Sequence, residues 1–392
     1  MNSSPEPSWG LKRQMEIYRW GLAGKKPAQP VSVDELEQKA KAVLSTKAFD
    51  YVAGSAGSEA TARANRDAFG RWRIVPRLLR DVSHRDLAVD VLGLKLRAPV
   101  MLAPIGVQSI LNKEGELAVA RAACALQVPM ILSTVSSYTM EEVAGALGDT
   151  PRWFQLYWPR DDALAASFIS RAELAGYSAI VVTLDTYLLA WRDRDLANAY
   201  LPFLDGDGLA NYFSDPVFRA SVGEDPLLNP VAAITYFGQV FSDPARTWGD
   251  LEKLCRSTRL PVLVKGVLHP DDARRAVDNG AAGVIVSNHG GRQLDGALPA
   301  LEALPTIVDA IGDRAPILFD SGIRRGSDVF KAIALGARSV LLGRPYAFGL
   351  AVRGEQGVYD VLANLIADID LTLGLCGCAT LTEVSRANLV EA

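Results

Sequence analysis

The sequence predicts a (β/α)8 TIM barrel, and three observations lead there. Eight short apolar runs recur along the chain, at Pro99–Ala103, Met130–Ser133, Trp153–Leu156, Ala179–Leu184, Val262–Lys265, Gly283–Ser287, Ile317–Asp320 and Ser339–Leu342. Amphipathic stretches at helical spacing, such as Glu116–Leu126, Asp271–Asn279 and Gly326–Leu335, separate most of them. The runs are buried throughout rather than alternating, which is the pattern of parallel strands covered by crossover helices. Eight such units close on themselves. The rival, an open doubly wound sheet, wants a Gly-x-Gly-x-x-Gly turn after its first strand, where this chain has Ala103-Pro104-Ile105-Gly106.

The elements follow in order within one domain over 1–392. An N-terminal helical segment and lead-in occupy 1–95, the barrel 96–350, and a C-terminal helical segment 351–392. Residues 1–30 are polar and carry Pro5, Pro7, Pro27 and Pro30, which reads as an arm or turn packed on the surface. From Ser32 to about Phe69 the pattern is helical, with Val33, Leu36, Ala40, Val43 and Leu44 at helix spacing. Ser32 and Glu35 stand at the two positions of a capping box. One connection breaks the barrel's rhythm: about 185–261, with 186–250 as its insertion, is rich in Asp, Pro and Asn and holds Tyr200, Phe203, Tyr212 and Phe213. So long a loop inside a compact domain is usually functional or disordered, and its aromatics favour a partly ordered lid over the barrel mouth.

Composition narrows the class. The 392 residues are 49% hydrophobic and 22% charged, ordinary for a globular chain, and the net charge of −4 gives no case for nucleic acid or anionic membrane. Cys124, Cys255, Cys376 and Cys378 are too few for a disulfide framework, and Cys376-Gly377-Cys378 lacks the spacing of a zinc site, so no metal is expected. No cationic start precedes an apolar core, and no apolar run approaches the roughly 18 residues that span a bilayer, so a cytoplasmic protein is expected.

In such barrels the chemistry collects at the carboxyl ends of the strands. Those ends carry Pro104-Ile105-Gly106, Ser133, Gln155-Leu156-Tyr157, Thr183-Leu184-Asp185 with Arg192 beyond, Lys265, Ser287-Asn288-His289, Asp320-Ser321-Gly322-Ile323-Arg324 and Gly343-Arg344. His289, with Arg292 three residues on, pairs a base with a carboxylate-binding cation. Gly322, Arg324, Gly343 and Arg344 fall in the two loops that commonly cradle phosphate in this fold. Ser133, Gln155 and Thr183 can hydrogen-bond a flat heterocycle, and Lys265 can stabilise negative charge on it, as for a flavin mononucleotide. Lys265 could equally form a Schiff base with a carbonyl substrate, and that alternative stays open. His84 and His269 read as structural.

The stretch Ser287-Asn288-His289-Gly290-Gly291-Arg292-Gln293 resembles the signature of the FMN-dependent 2-hydroxy-acid oxidases and dehydrogenases. The resemblance runs from about Val33 to Val384 and includes Tyr51-Val52-Ala53-Gly54, Ala103-Pro104-Ile105-Gly106, Phe154-Gln155-Leu156-Tyr157, Val264-Lys265-Gly266 and Asp320-Ser321-Gly322-Ile323-Arg324. Within the family, Gly106, the stretch 191–196 and the segment 211–218 resemble the lactate 2-monooxygenase branch.

The resemblance implies FMN as cofactor, a small L-2-hydroxy acid and dioxygen as reactants, and a homo-oligomer, tetramer or octamer. It implies His289 as base, Asp185 holding its imidazole, Arg192 and Arg292 clamping the substrate carboxylate, and Tyr51 and Tyr157 hydrogen-bonding the substrate. Lys265 would stand beside the flavin N1–C2 edge, with Gly106, Ser133, Gln155, Thr183 and Ser287 lining the isoalloxazine. Arg324, Gly343 and Arg344 would hold the phosphate, and Pro104, Ile105, Asp320, Ser321 and Gly322 complete the cofactor site. The expected products are acetate, carbon dioxide and water if the keto acid is retained, or a 2-keto acid and hydrogen peroxide if it leaves. Gly106 is expected to widen the space over the flavin, and the small Val135 suits a short substrate tail. An FMN-barrel isomerase is the alternative from another class. The carboxylate clamp counts against it.

Overall fold

In the computed structural model, which describes residues 8–392, eight parallel strands pair in chain order and close into a barrel. They are β1 (Val100–Leu102), β2 (Met130–Ser133), β3 (Arg152–Tyr157), β4 (Ile180–Thr183), β5 (Val262–Val267), β6 (Gly283–Val286), β7 (Ile317–Phe319) and β8 (Ser339–Leu342). A helix follows each: α1 (Gly115–Leu126), α2 (Met140–Leu147), α3 (Asp162–Leu174), α4 (Trp248–Ser257), α5 (Pro270–Asp278), α6 (Ala300–Ile311), α7 (Gly326–Ala334) and α8 (Arg344–Leu375).

Strand side chains alternate between two cores because the strand repeat is two residues. Met101, Ile131, Trp153, Val181, Leu263, Ile285, Leu318 and Leu341, one from each strand, fill the barrel interior. Val91 and Leu96 of the hairpin Val89–Val91/Leu94–Leu96 join that cluster. The intervening residues, such as Leu102, Leu132, Phe154, Val182 and Phe319, pack outward against the helices. At roughly 1.5–3 kcal/mol per buried large side chain, the interior ring alone is a substantial share of the folding energy.

Two residues beyond the apolar ring, the same inward face presents Ala103, Ser133, Gln155, Thr183, Lys265, Ser287, Asp320 and Gly343. The polar ring is thus a consequence of strand periodicity. A register shift between Lys265 and Val267 marks a bulge at Gly266, whose φ is +103°.

Outside the barrel several expectations change. The first described segment is a helix, Trp9–Leu22, and not a surface arm; the expectation for residues 1–7 lies outside the described residues. Its Arg13 pairs with Asp360 of α8 at 3.0 Å, and its Gly10 N–H donates to Asp370 at 2.9 Å. The stretch from Ser32 to Phe69 is three helices, Val33–Val43, Thr46–Ala53 and Ala60–Asp67, broken at Leu44-Ser45 and Gly54–Glu59. Ser32 makes no side-chain cap; Ser45 instead caps the second helix through the N–H of Ala48. His269 is structural as expected, its Nδ1 accepting from Asp271 N–H at the start of α5.

The insertion is an ordered cover with its own aromatic core. It contains the helices Asp193–Ala197, Ala210–Phe213, Pro216–Val222 and Pro230–Val240. Tyr212 packs edge-on against Phe168 of α3, with ring centroids 5.0 Å apart, and against Phe237 at 4.9 Å. Buried Asn211 fastens the cover to the barrel, accepting from Met140 N–H at 2.8 Å and donating to Thr134 O at 3.1 Å.

Candidate active site

At the carboxyl ends of the strands lies a pocket with about 1160 Å³ of empty space, its open mouth included. Its wall includes Tyr51, Pro104, Ile105, Gly106, Tyr157, Arg192, Lys265, His289, Arg292, Asp320, Ser321, Gly322, Arg324, Gly343 and Arg344. Every one of these was singled out in the sequence. Ser133, Gln155, Thr183 and Ser287 are buried in the polar ring beside the pocket rather than on its wall. The Gln155 amide joins three of them, accepting from Ser133 Oγ at 3.0 Å and donating to Thr183 Oγ1 at 2.9 Å. Lys265 donates to Ser287 Oγ at 2.9 Å and pairs with Asp320 at 3.2 Å.

His289 projects from the turn after β6 with φ +57°, and Gly290 and Gly291 follow it in the same left-handed region. Its Nδ1 is 2.8 Å from Asp185 Oδ1. Asp185 being acceptor-only when ionised, Nδ1 carries the proton and the Nε2 lone pair is left for the pocket. The Tyr157 hydroxyl is 3.4 Å from Nε2. Burial lowers the His289 pKa, and the charges of Lys265 and Arg192 add to this, against the upward pull of Asp185; the net direction is down. Burial opposes the ionisation of Asp185, yet His289, its hydrogen bond and Lys265 outweigh it and hold the carboxyl below its ordinary value. Neutral imidazole beside ionised carboxylate is the state of a poised base.

Thr186 belongs to this group and sequence reasoning passed over it. Its hydroxyl donates to Asp185 Oδ1 at 3.1 Å and lies 3.3 Å from His289 Nδ1. Its place next to Asp185 was the available signal. Gln293 stood in the signature without a role: it donates to Asp185 O at 2.7 Å and accepts from Arg192 Nη2 at 3.0 Å.

The two arginines meet. Arg192 Nε donates to Arg292 O at 3.1 Å, while Arg292 Nη1 donates to the carbonyls of Tyr51 and Gly54 at 2.6 and 2.7 Å. Burial, then the charge of Arg192, pulls the Arg292 pKa down to about 10. At the other end burial pulls Arg324 down to about 10 and Arg344 to about 9. Cations so lowered are short of negative charge, and a bound anion supplies it.

The fit to a phosphate-bearing heterocycle rests on particular atoms. Arg324 Nε is buried without a hydrogen-bond partner. A Cβ on Gly343 would meet nothing closer than 3.9 Å, so the space beside it is open to a ligand. Gly322 is required for another reason: at φ +103°, its Cβ would lie 2.6 Å from Asn65 O. Arg344 is more committed than expected, donating to Val52 O, Gly290 O, Gly54 O and Ser55 Oγ at 2.7–3.2 Å. It fastens the 52–55 segment to the histidine turn and has one N–H left for an anion. Among the described residues no cluster of His, Cys, Asp and Glu is placed to hold a metal ion, and no helix is long and apolar enough to cross a membrane.

Gly106 corrects an expectation. A Cβ there would lie 2.4 Å from Val135 Cγ2 and 2.8 Å from Val135 O, so the missing side chain makes room first for Val135. The remaining wall includes Val107, Ile110, Leu111, Val135, Leu189, Phe203 and Phe241.

Known proteins resemble this chain over most of its length. The family described as FMN-dependent dehydrogenase matches residues 40–391. An L-lactate oxidase from Lysinibacillus sphaericus is 42% identical over 362 residues, covering 92% of this chain and 93% of its own. A 4-hydroxymandelate oxidase from Amycolatopsis orientalis is also 42% identical, over 358 residues, covering 91% of this chain and 98% of its own. A crystal structure of mandelate oxidase, 40% identical, superposes with a TM-score of 0.82 over 93% of this chain and 99% of that one.

Proposed function

Given that the chain belongs to the FMN-dependent dehydrogenase family, whose 2-hydroxy-acid oxidation it shares, we propose that its substrate is a small L-2-hydroxy acid, L-lactate first. We propose further that the acid is decarboxylated oxidatively to acetate, carbon dioxide and water. The observation that carries the substrate class is the His289 Nε2 lone pair facing a pocket that Arg192 and Arg292 also line.

FMN, when bound, would supply the acceptor for the acid's two electrons, with dioxygen as the final oxidant. Lys265 and the Ser133–Gln155–Thr183 network would hold its ring, and Gly322, Arg324, Gly343 and Arg344 its phosphate. Arg192 and Arg292 fix the substrate carboxylate, and Tyr51 and Tyr157 hydrogen-bond its polar groups. With the acid so oriented, His289 Nε2 accepts the substrate proton. Asp185, on the opposite ring nitrogen, stabilises the imidazolium that results. The cover supports retention of the keto acid, since Leu189, Phe203 and Phe241 bring it onto the pocket wall. Retained keto acid and peroxide react as an intramolecular pair, which is faster than an encounter from solution.

A second reading, an oxidase that releases 2-keto acid and hydrogen peroxide, is favoured by the resemblance to the L-lactate and 4-hydroxymandelate oxidases. Product analysis after aerobic L-lactate turnover decides. Acetate with carbon dioxide is expected; stoichiometric pyruvate and peroxide overturn the decarboxylation and leave the oxidase. A tetrameric or octameric assembly has support in exposed apolar side chains such as Leu78, Leu79 and Leu375, and light scattering tests it.

A further inference from the structure

We infer that Phe241, carried by the insertion, limits the length of the substrate tail, and that the tail this site accepts is apolar. The inference rests on reading the site as one that oxidises a 2-hydroxy acid.

Phe241 stands one ring away from the base. Its ring centroid is 5.1 Å from that of Tyr157, whose hydroxyl is 3.4 Å from His289 Nε2. It follows immediately on the helix Pro230–Val240, and its N–H closes that helix on Phe237 O at 2.9 Å. Phe237 backs it at 5.1 Å and Phe203 at 6.1 Å. Phe237 in turn packs on Tyr212, and Tyr212 on Phe168 of α3. An unbroken series of rings therefore connects a barrel helix to the pocket, so Phe241 is a held wall and not a loose loop side chain.

What surrounds Phe241 sets the chemistry of the tail. Ile110, Leu111, Val135, Leu189 and Phe203 line the same pocket with no charge and no side-chain hydrogen-bonding group, and the Tyr157 ring packed on Phe241 has its hydroxyl 3.4 Å from His289 Nε2. The carboxylate clamp and the base are on other residues, so the tail of an acid held by Arg192 and Arg292 is left this apolar part of the wall. A polar tail would lose water there without gaining a partner, at a cost of roughly 1–3 kcal/mol. The ring of Phe241 occupies the space a longer tail would need.

The test compares holoenzymes of wild type, Phe241→Ala and Phe241→Leu on L-lactate, L-2-hydroxyhexanoate and L-malate. In Phe241→Ala the ratio of kcat/KM for hydroxyhexanoate over lactate is expected to rise at least roughly tenfold, the scale on which a hydrophobic pocket discriminates methylenes. Phe241→Leu should move it part of the way, and it decides alone if the alanine variant fails to hold FMN. Malate should stay poor throughout. A ratio within about twofold of wild type in the deciding variants, or malate turned over as well as hydroxyhexanoate, overturns the inference. Failure of wild-type flavin to be reduced by any 2-hydroxy acid is seen before variants are compared, and it overturns the reading of the site as well.

Discussion

Gly266 and Asp185 approach so closely that no side chain can come between them: a Cβ on Gly266 would lie 2.6 Å from the Cβ of Asp185. The bulge in β5 thereby seats the carboxylate that holds His289. Gly266→Ala should push Asp185 off Nδ1 and add strain at φ +103°. Displacement of a catalytic constellation by about 1 Å can cost roughly 100-fold in rate. Anaerobic stopped-flow reduction of the flavin should show that loss with FMN still bound; unchanged reduction would detach the bulge from catalysis.

The direction of the His289 shift predicts where activity fails on the acid side. Burial places its pKa below the ordinary 6.5, so the base remains neutral at pH 7 and is lost only as pH falls through that lowered value. The acid limb of kcat/KM, which reports the free enzyme, should therefore have an apparent pKa under 6.5. Asp185→Asn removes the one upward pull and should shift the limb lower still while slowing reduction by roughly 100-fold or more. An acid limb at or above 7 in wild type contradicts the assignment.

Gly106 and Val135 should behave as a coupled pair. Gly106→Ala must move Val135, since its Cβ would fall 2.4 Å from Val135 Cγ2, and the Val135 carbonyl also receives the Val107 N–H at 2.9 Å. Val135→Ala alone loses the packing of a buried side chain, but combined with Gly106→Ala it removes the Cγ2 contact and should recover part of the lost kcat/KM, the approach to Val135 O remaining. A double-mutant cycle is expected to give a coupling of about 1–2 kcal/mol. Additive effects would mean that the alanine finds room elsewhere.

Glu116, in the first turn of α1, is a buried carboxyl whose Oε1 accepts from Gln108 and Ser137 N–H at 3.1 and 3.2 Å and whose Oε2 has no partner. Burial pushes its pKa up from 4.5 to about 7. The folded state then holds a proton that the unfolded state releases, so stability is full below pH 4.5 and is lost as pH rises through 7. Glu116→Gln keeps both accepted hydrogen bonds and has no charge to bury. It should raise stability by about 1–2 kcal/mol at pH 8 and by almost nothing at pH 5, read from Tm at the two pH values. An equal effect at both would locate the gain elsewhere.

What could be read from the sequence was whatever local pattern dictates. The strands were visible because each is apolar on both faces, and the polar ring because Ser133, Gln155, Thr183 and Lys265 fall two residues past an inward apolar side chain. The glycines at 322 and 343 marked the anion end by position alone. Features settled by distant partners were not visible. Trp9–Leu22 looks too polar to dock until Asp360 and Asp370 of α8 are known to receive Arg13 and Gly10. Phe241 is one aromatic among many in the insertion until the fold sets it against Tyr157. Gly106 could be identified as essential space, but the side chain that uses that space is 29 residues further on.

The stacked rings of the barrel divide labour along its axis. Leu263, Ile285 and Leu318 pack the barrel interior, while Lys265, Ser287 and Asp320, two positions on, form a bonded polar group at the mouth on the same strands. Mutational drift can therefore act on one tier with little consequence for the other. A lineage could exchange its cover, and with it the tails it admits, while inheriting the base, the clamp and the foundation unchanged. The same division offers a protein engineer two independent dials, one for heat tolerance and one for diet.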